Sequence, residues 1–545
     1  MLKTKPTIYP LSRLQAIADR NSFWLALLCS VLFFIVFNLV ATPLLNSDDD
    51  AFFMYSLAGG YGEAPTQLLH YNYGWHPWLG GIVKSLFSIC PGLNWYSVVL
   101  FLFHCAGYTA IIYVLLKKLR IELALFFAAI LFCFVEARLL LYFTYTAAAI
   151  VASVGAISLL ISEYQQLLRK NGVILVAALL LLLAGMLRLH IVLLVALLFL
   201  PLSITALSRK RWIKCFTTLA LVTLSLFIFN KIQEDVYSRK IPNWREQERF
   251  RQGLFHAYNR QLRDSVSSAA FTDNAEQSLF MRGFLYDSTR FTAERVKKMA
   301  WAVTRDRSLM NSGDRQGLYW FFMELRVYLL LTGFVLLGFY LNRHRLIIRN
   351  WLFSLLLTIL FQGVLFIYFK ITLVLYLGLI MILLISLALH GNRDTLLLPK
   401  QKIIGVITGL GFVALFAWMG IRVAKENSIN ESRHKGFICA MNELKQASGK
   451  LFIAAESSFP IDDFYAWDLP RNYPATNVLY KERLITHTYL KTLTRFGIHD
   501  LNQAIQTDNR ILFIGNPSGL FNRMTASGPL PDFRCLNVWE LKPTY

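Results

Sequence analysis

Three consecutive carboxylates, Asp48, Asp49 and Asp50, follow the first long apolar run of the chain, in "LLNSDDDAFFMYSLAGGYG". An aspartate placed there can cap a helix and complement its dipole. That accounts for one acid, or two, and not for three, because adjacent like charges repel and call for a cation nearby or a raised pKa. A carboxylate so placed can take a proton from a hydroxyl as a general base, or hold a divalent ion. Cations are available to pair with this chemistry. "GMLRLHIVLL" sets Arg188 and His190 between two apolar runs too close for an ordinary loop, and an arginine there can grip a phosphate through two N–H groups. "FVEARLLLYFTYT" sets Glu136 and Arg138 deep in apolar sequence, where charges are costly and serve a site or each other; an ion pair between the two is the plain account. Lys370 in "FIYFKITLVLYLG" is a further lone cation, for which an interfacial lysine is the plain account. "HYNYGWHPWLGG" brings His70, Tyr73 and His76 together with Trp75 and Trp78. The tryptophans suit an interfacial aromatic belt, while the histidines and Tyr73 fit a contact surface for a sugar or prenyl ligand. The set combines groups that remove protons with groups that hold anionic oxygen.

These residues need a scaffold, and the composition restricts it. The chain has 545 residues, 56% of them hydrophobic and 16% charged, whereas a soluble chain carries about 25% charged residues. Apolar runs cover 23–45, 94–116, 121–137, 144–162, 172–187, 190–207, 212–230, 319–341, 350–369, 371–389 and 402–421. They predict a polytopic α-helical membrane protein of about 11 transmembrane helices, since a crossing takes about 20 apolar residues. The stretch 78–90, short and holding Gly80, Gly81 and Lys84, reads as a re-entrant or interfacial helix. The N-terminal run lacks the short apolar core and small-residue cleavage site of a removed signal, so it reads as a retained first helix.

The net charge of +22 does not indicate nucleic acid, because the basic residues gather in short links: Lys117, Lys118 and Arg120; Arg169 and Lys170; Arg209, Lys210, Arg211 and Lys214; Arg343, Arg345 and Arg349; Arg393, Lys400 and Lys402. By the positive-inside rule these links are cytoplasmic. The N-terminus is then cytoplasmic and the C-terminus extracytoplasmic. The loops 46–93 and 231–318, the turns near 136–145 and 188–190, and the tail from about 422 all face outward. Residues 1–422 form the membrane domain and 423–545 an extracytoplasmic domain. The 231–318 loop reads as amphipathic helices, either a cap or a substrate-covering surface.

In the tail, "LFIAAE", "ERLITHTYLKTLTRFG", "ILFIGNP" and "LNVWELK" run strand, helix, strand, strand, a small α/β domain. "IGNPSGLF" lacks the glycine spacing of a phosphate loop. Cys29, Cys90, Cys105, Cys133 and Cys215 sit in or near apolar runs and read as small core residues. Cys439 and Cys535 flank the tail and can pair if that side is oxidising. There is no CxxC spacing for a metal.

A first membrane helix followed at once by an outer loop with paired acids resembles the GT-C-type glycosyltransferases, polytopic enzymes that use polyprenyl-phosphate-linked sugars. "SDDDAFFMYSLAGG" is similar to their acidic loop motif, with Asp49-Asp50-Ala51 in its place. "LRLH" after a short helix pair is similar to a basic turn in several members. The resemblance covers the membrane half in architecture and the first loop in residues; the acids here are a triplet rather than a pair. It implies a polyprenyl-phosphate sugar donor and an extracytoplasmic glycan, lipid or protein as acceptor; with no eukaryotic targeting signal evident in the sequence, the expected membrane is a bacterial plasma membrane.

In that chemistry Asp49 is the general base, and Asp48 or Asp50 orients it or holds a cation. Arg188 holds the lipid phosphate with help from Arg138, His190 or Lys370. A single displacement inverts the anomeric carbon. A monophosphate leaving group needs no metal; a pyrophosphate donor would favour Mg or Mn at Asp48 and Asp50. A lipid-linked polysaccharide polymerase or ligase of another fold has no need of an acidic cluster after the first helix. A flippase or other transporter would show internal repeats and midplane charges, which the sequence lacks.

Overall fold

The computed structural model describes residues 20–69, 75–165, 171–241, 373–390, 402–454, 458–480, 489–517 and 524–543, with short pieces between 244 and 360. His70, Tyr73 and Lys370, the run 319–341, most of 350–369 and most of the 231–318 loop lie outside the described residues.

Apolar sequence dominates the first part of the chain, and it forms helices because a helix satisfies its own backbone. In order come α1 Ser22–Val40, β1 Leu44–Leu45, α2 Asp48–Ala58, α3 Pro77–Ile89, α4 Trp95–Lys118, α5 Ile121–Leu141 with a π-helical turn at Phe132–Glu136, β2 Tyr142–Phe143, α6 Tyr145–Gln165, α7 Asn171–Ala206, α8 Arg209–Lys240, α9 Leu373–His390 and α10 Lys402–Gln446. Among the described residues, six helices (α1, α4, α5, α6, α7 and α8) are long and apolar enough to cross a membrane. α6 is nearly all buried and forms the centre, while α1, α7 and α8 turn wide apolar faces outward. α4 and α6 meet backbone to backbone: a Cβ on Gly107 would collide with the Val151 carbonyl, and one on Gly155 with the Gly107 carbonyl. Small residues permit that approach, as in other membrane helix pairs.

α7 is two antiparallel legs. Its backbone leaves the helical region at Arg188, with φ −159° and ψ 94°. Arg188 bonds Thr146 at the start of α6. Gln165 at the end of α6 donates to the carbonyl oxygens of Ala206 and Leu389, each at 3.1 Å. The chain therefore reverses at Arg188, and the legs 171–187 and 189–206 correspond to separate apolar runs in the sequence. One end of the bundle carries Lys117, Lys118, Arg120, Arg209, Lys210 and Arg211 (the basic end). The opposite end carries the aspartates and Arg188 (the acid end).

At the acid end, β1 and β2 form a two-residue parallel pair, Leu44 against Tyr142 and Leu45 against Phe143. α10 braces this pair. The Asn427 carbonyl oxygen accepts from the Thr42 N–H at 2.6 Å, and Asn430 donates to the carbonyls of Thr42 at 3.1 Å and Leu141 at 3.2 Å.

The tail is a five-stranded mixed sheet in the order β4-β3-β5-β7-β6, with β3 Leu451–Ala454, β4 Val478–Leu479, β5 Ile511–Ile514, β6 Met524–Pro529 and β7 Val538–Pro543. β3 is parallel to β4 and β5, and β7 antiparallel to β5 and β6. Leu451, Ile453, Ile511 and Phe513 pack with Leu493 of α11 Tyr489–Arg495 and with Leu501 and Ile505 of α12 Leu501–Thr507. Phe452, Ala454, Leu512 and Ile514 point the other way, into the main core. Burial on both faces is why these strands read as unbroken apolar runs.

α10 passes through 422/423 without a break, so the boundary between the two regions falls inside a helix. Cys439 of α10 is disulfide-bonded to Cys535, with Cα atoms 5.9 Å apart. Beside it the Glu443 carboxylate accepts N–H bonds from Arg534 at 2.7 Å, Cys535 at 2.9 Å and Leu536 at 3.0 Å. The segment 458–480 is stitched onto the acid end. Leu45 N–H donates to the Phe464 carbonyl and Ala466 N–H to that of Pro43, both at 2.9 Å. The Tyr55 hydroxyl donates to the Tyr473 carbonyl at 2.6 Å.

Candidate active site

The aspartate triplet forms the first turn of α2. Residues two apart on a helix point about 200° from each other, so Asp48 and Asp50 do not converge on one ion. Asp48 and Asp49 are half-buried, and Asp50 is fully buried. Asp50 Oδ1 accepts from the Tyr96 hydroxyl at 2.6 Å and from the Tyr145 backbone N–H at 2.8 Å. Tyr145 N–H belongs to the free first turn of α6, so Asp50 caps a helix other than its own and meets the positive end of that helix. Oδ2 is buried without a hydrogen-bond partner. Burial raises the Asp50 pKa to about 7, against the lowering by the bonds from Tyr96 and Tyr145; the charge of Asp49 adds to the rise and the Ser47 hydroxyl opposes it.

Tyr96 is held in turn by Trp75, whose ring stacks on it with centroids 4.8 Å apart at 17°. Trp75 is fully buried. The interfacial belt expected for it is thus corrected: its contact with an acid-binding tyrosine draws it inside. Trp78 does stand half-exposed on α3.

Arg188 also reaches the start of α6, sharing Tyr145 with Asp50. Its Nη1 donates to Thr146 Oγ1, and its guanidinium lies 5.0 Å from the centroid of the Tyr145 ring, a cation–π distance. A buried carboxylate and a half-buried guanidinium are therefore both anchored on Tyr145-Thr146, the opening of α6. His190, two residues on, is exposed.

Glu136 and Arg138 turn to different partners. Glu136 Oε1 lies 2.7 Å from His104 Nδ1, both side chains being fully buried. Arg138 makes a two-point contact with Glu426, Nε to Oε2 at 3.2 Å and Nη2 to Oε1 at 3.0 Å. The expected Glu136–Arg138 pair is thus replaced. Helical positions two apart diverge in direction, and each charge finds its complement on a neighbouring helix, α4 for Glu136 and α10 for Arg138. Arg422 also reaches Glu426, at 3.2 Å. This cluster adjoins the acid loop through β2, which follows Arg138 and pairs with β1.

His76 serves as the N-cap of α3: Nδ1 accepts from the Trp78 N–H at 3.3 Å, and Nε2 lies 3.0 Å from the Phe229 carbonyl oxygen. A carbonyl only accepts, so Nε2 carries the proton. Burial pushes the pKa of His76 down, and the ring is neutral. Its backbone N–H bonds Met186 at 2.7 Å, tying α3 to the hairpin tip two residues before Arg188.

Sequence reading alone missed several members. Glu426 and Tyr96 gave no signal in single-chain patterning. His104 did: an ionisable residue inside "FLFHCAGY" marks an occupied position in a membrane helix. The Arg433 cluster was also missed. Arg433 contacts Asp463 at 2.5 Å, Asp462 at 3.2 Å and Asn46 at 3.4 Å, and it sits against the acid loop. Among the described residues, Cys439, Glu443 and Cys535 are the group close enough to share a metal ion, and its two sulfurs are joined to each other.

No family model and no curated protein matches the chain. Among solved structures it is similar to the crystal structure of ArnT from Cupriavidus metallidurans in the apo state, at 10% identity and a TM-score of 0.42, over 96% of this chain and 98% of that one. So loose a superposition leaves the chemistry to be argued from this chain's own residues.

Proposed function

We propose that the chain is an integral membrane glycosyltransferase of the GT-C type, moving a sugar from a polyprenyl-phosphate carrier to an acceptor hydroxyl on the extracytoplasmic side of a bacterial plasma membrane. One observation supports it above the rest: Asp50 and Arg188 are anchored on the same dipeptide at the acid end, which ties the acidic turn of α2 and a cation able to hold phosphate to one helix start. In this reading Asp50, enclosed and committed to two donors, fixes the turn of α2. Asp49, its half-buried neighbour, is the general base. The acceptor oxygen attacks the anomeric carbon while its proton passes to Asp49. The bond from that carbon to the phosphate oxygen breaks, and the lipid phosphate leaves with the electron pair, neutralised by Arg188. Attack opposite the leaving group inverts the anomeric centre. Arg138, held by Glu426, adds positive potential from the neighbouring helix. The displacement needs no Mg or Mn, in keeping with the divergent directions of Asp48 and Asp50.

The test is a labelled polyprenyl-phosphate sugar with the purified protein. Asp49→Asn is expected to lower kcat about 10²- to 10⁴-fold, the usual worth of a general base, with binding of polyprenyl monophosphate retained. Arg188→Ala is expected to weaken that binding about 10- to 100-fold, as for a lost charge-assisted contact. Full activity in Asp49→Asn removes it as the base, and unchanged lipid affinity in Arg188→Ala removes the phosphate role.

A further inference from the structure

At the basic end, away from the acids, a groove of about 740 Å³ opens between α1, α4 and the first leg of α7. Its floor is small because α4 presents Cys105, Ala106, Thr109 and Ala110 there. Its walls are apolar, with Trp24 on α1 and Val176 on α7 both well exposed. Polar side chains break this apolar surface, among them two cations and a threonine. Arg20 is exposed at the rim. Lys117 lines the same end, its Nζ 5.5 Å from the centroid of the Tyr113 ring. Thr109, on the floor, is buried, and its hydroxyl has no hydrogen-bond partner. A threonine in a membrane helix ordinarily bonds the carbonyl one turn back; this one leaves its hydroxyl unbonded beneath the floor of the groove.

We propose that this groove is a binding site for an anionic phospholipid, separate from the transfer site. The headgroup phosphate lies between Arg20 and Lys117, and an acyl chain fills the trough between Trp24 and Val176. Charge complementarity argues for an anionic headgroup over a zwitterionic one. The cytoplasmic leaflet, where basic links reside, is also the leaflet whose surface potential such cations meet.

Trp24 gives the readout. The protein is reconstituted in phosphatidylcholine nanodiscs containing a minor fraction of dibrominated phosphatidylglycerol or of dibrominated phosphatidylcholine. The Trp24 part of the fluorescence is isolated by subtracting the Trp24→Phe variant. Two cations at roughly five-fold each predict that the brominated phosphatidylglycerol occupies the groove about 10- to 30-fold more than its bulk fraction, with quenching to match. Arg20→Gln with Lys117→Gln is expected to abolish the preference, and Arg20→Gln alone, an exposed change, to remove about half of it on a logarithmic scale. Equal quenching of Trp24 by the two brominated lipids overturns the proposal and leaves ordinary annular contact. So does a preference that survives both substitutions.

Discussion

Asp50 is an acid whose folded environment favours its protonated form, and this has a measurable cost. Its pKa rises from the ordinary aspartate value of 3.8 to about 7 on folding, chiefly through burial. The folded chain therefore binds this proton more tightly than the unfolded one. Its contribution to stability is near zero below pH 4, becomes increasingly unfavourable as pH rises from about 4 to about 7, and is constant above that. The full shift corresponds to on the order of 4 kcal/mol, of which about 3 kcal/mol falls between pH 5 and pH 8. Asp50→Asn removes the titration and keeps an acceptor oxygen for the Tyr96 hydroxyl and the Tyr145 N–H. Its amide nitrogen enters the place of the unpartnered Oδ2, a penalty that does not vary with pH. The difference in Tm, variant minus wild type, should thus grow by a few degrees from pH 5 to pH 8. Tryptophan fluorescence during a thermal ramp in one detergent, at several pH values, measures it. A difference that stays flat, or shrinks with rising pH, refutes the assignment of Asp50 as the buried, high-pKa acid, whatever the absolute stability of the variant.

Two further outcomes follow from packing. Gly155→Ala puts a methyl group against the Gly107 backbone, where neither helix can yield; a loss of about 1–3 kcal/mol is expected, read as a lower Tm, with Gly81→Ala, which meets nothing within 4 Å, as the near-neutral control. Cys439→Ser with Cys535→Ser opens a link spanning 96 residues, for which about 2–4 kcal/mol is usual; the loss should appear as faster proteolysis of the tail sheet, and wild type under reductant should match the variant.

How far the sequence carried depended on the range of each interaction. Helix-forming runs are local, and so was the pairing of 172–187 with 190–207: a cation and a histidine between two apolar runs leave little choice except a tight reversal. The aspartates were legible as a site because three like charges are hard to explain otherwise. Their division of labour was not, since it depends on Tyr96 and Tyr145, which are 46 and 95 residues away. The simple Glu136–Arg138 pairing failed for the same reason: Glu426 lies 288 residues from Arg138. A two-residue separation looks intimate in a string of letters and is divergent on a helix. Trp75 was misplaced because aromatic residues near a membrane surface look alike whether they face headgroups or a buried tyrosine. Three of the tail strands, β3, β5 and β7, were readable as apolar runs, whereas β4, two residues long, was too short to stand out and β6, "MTASGP", is too polar.

The unbroken course of α10 has a mechanical consequence. At 45 residues it is about 67 Å long, stiff from the apolar stretch at its start to the cystine near its end. The tail sheet has no slack tether on which to wander. A load applied to it is delivered as leverage to the stretch of rod that carries Glu426 and grips Arg138. Work done on the sheet is then felt directly at that charged seam.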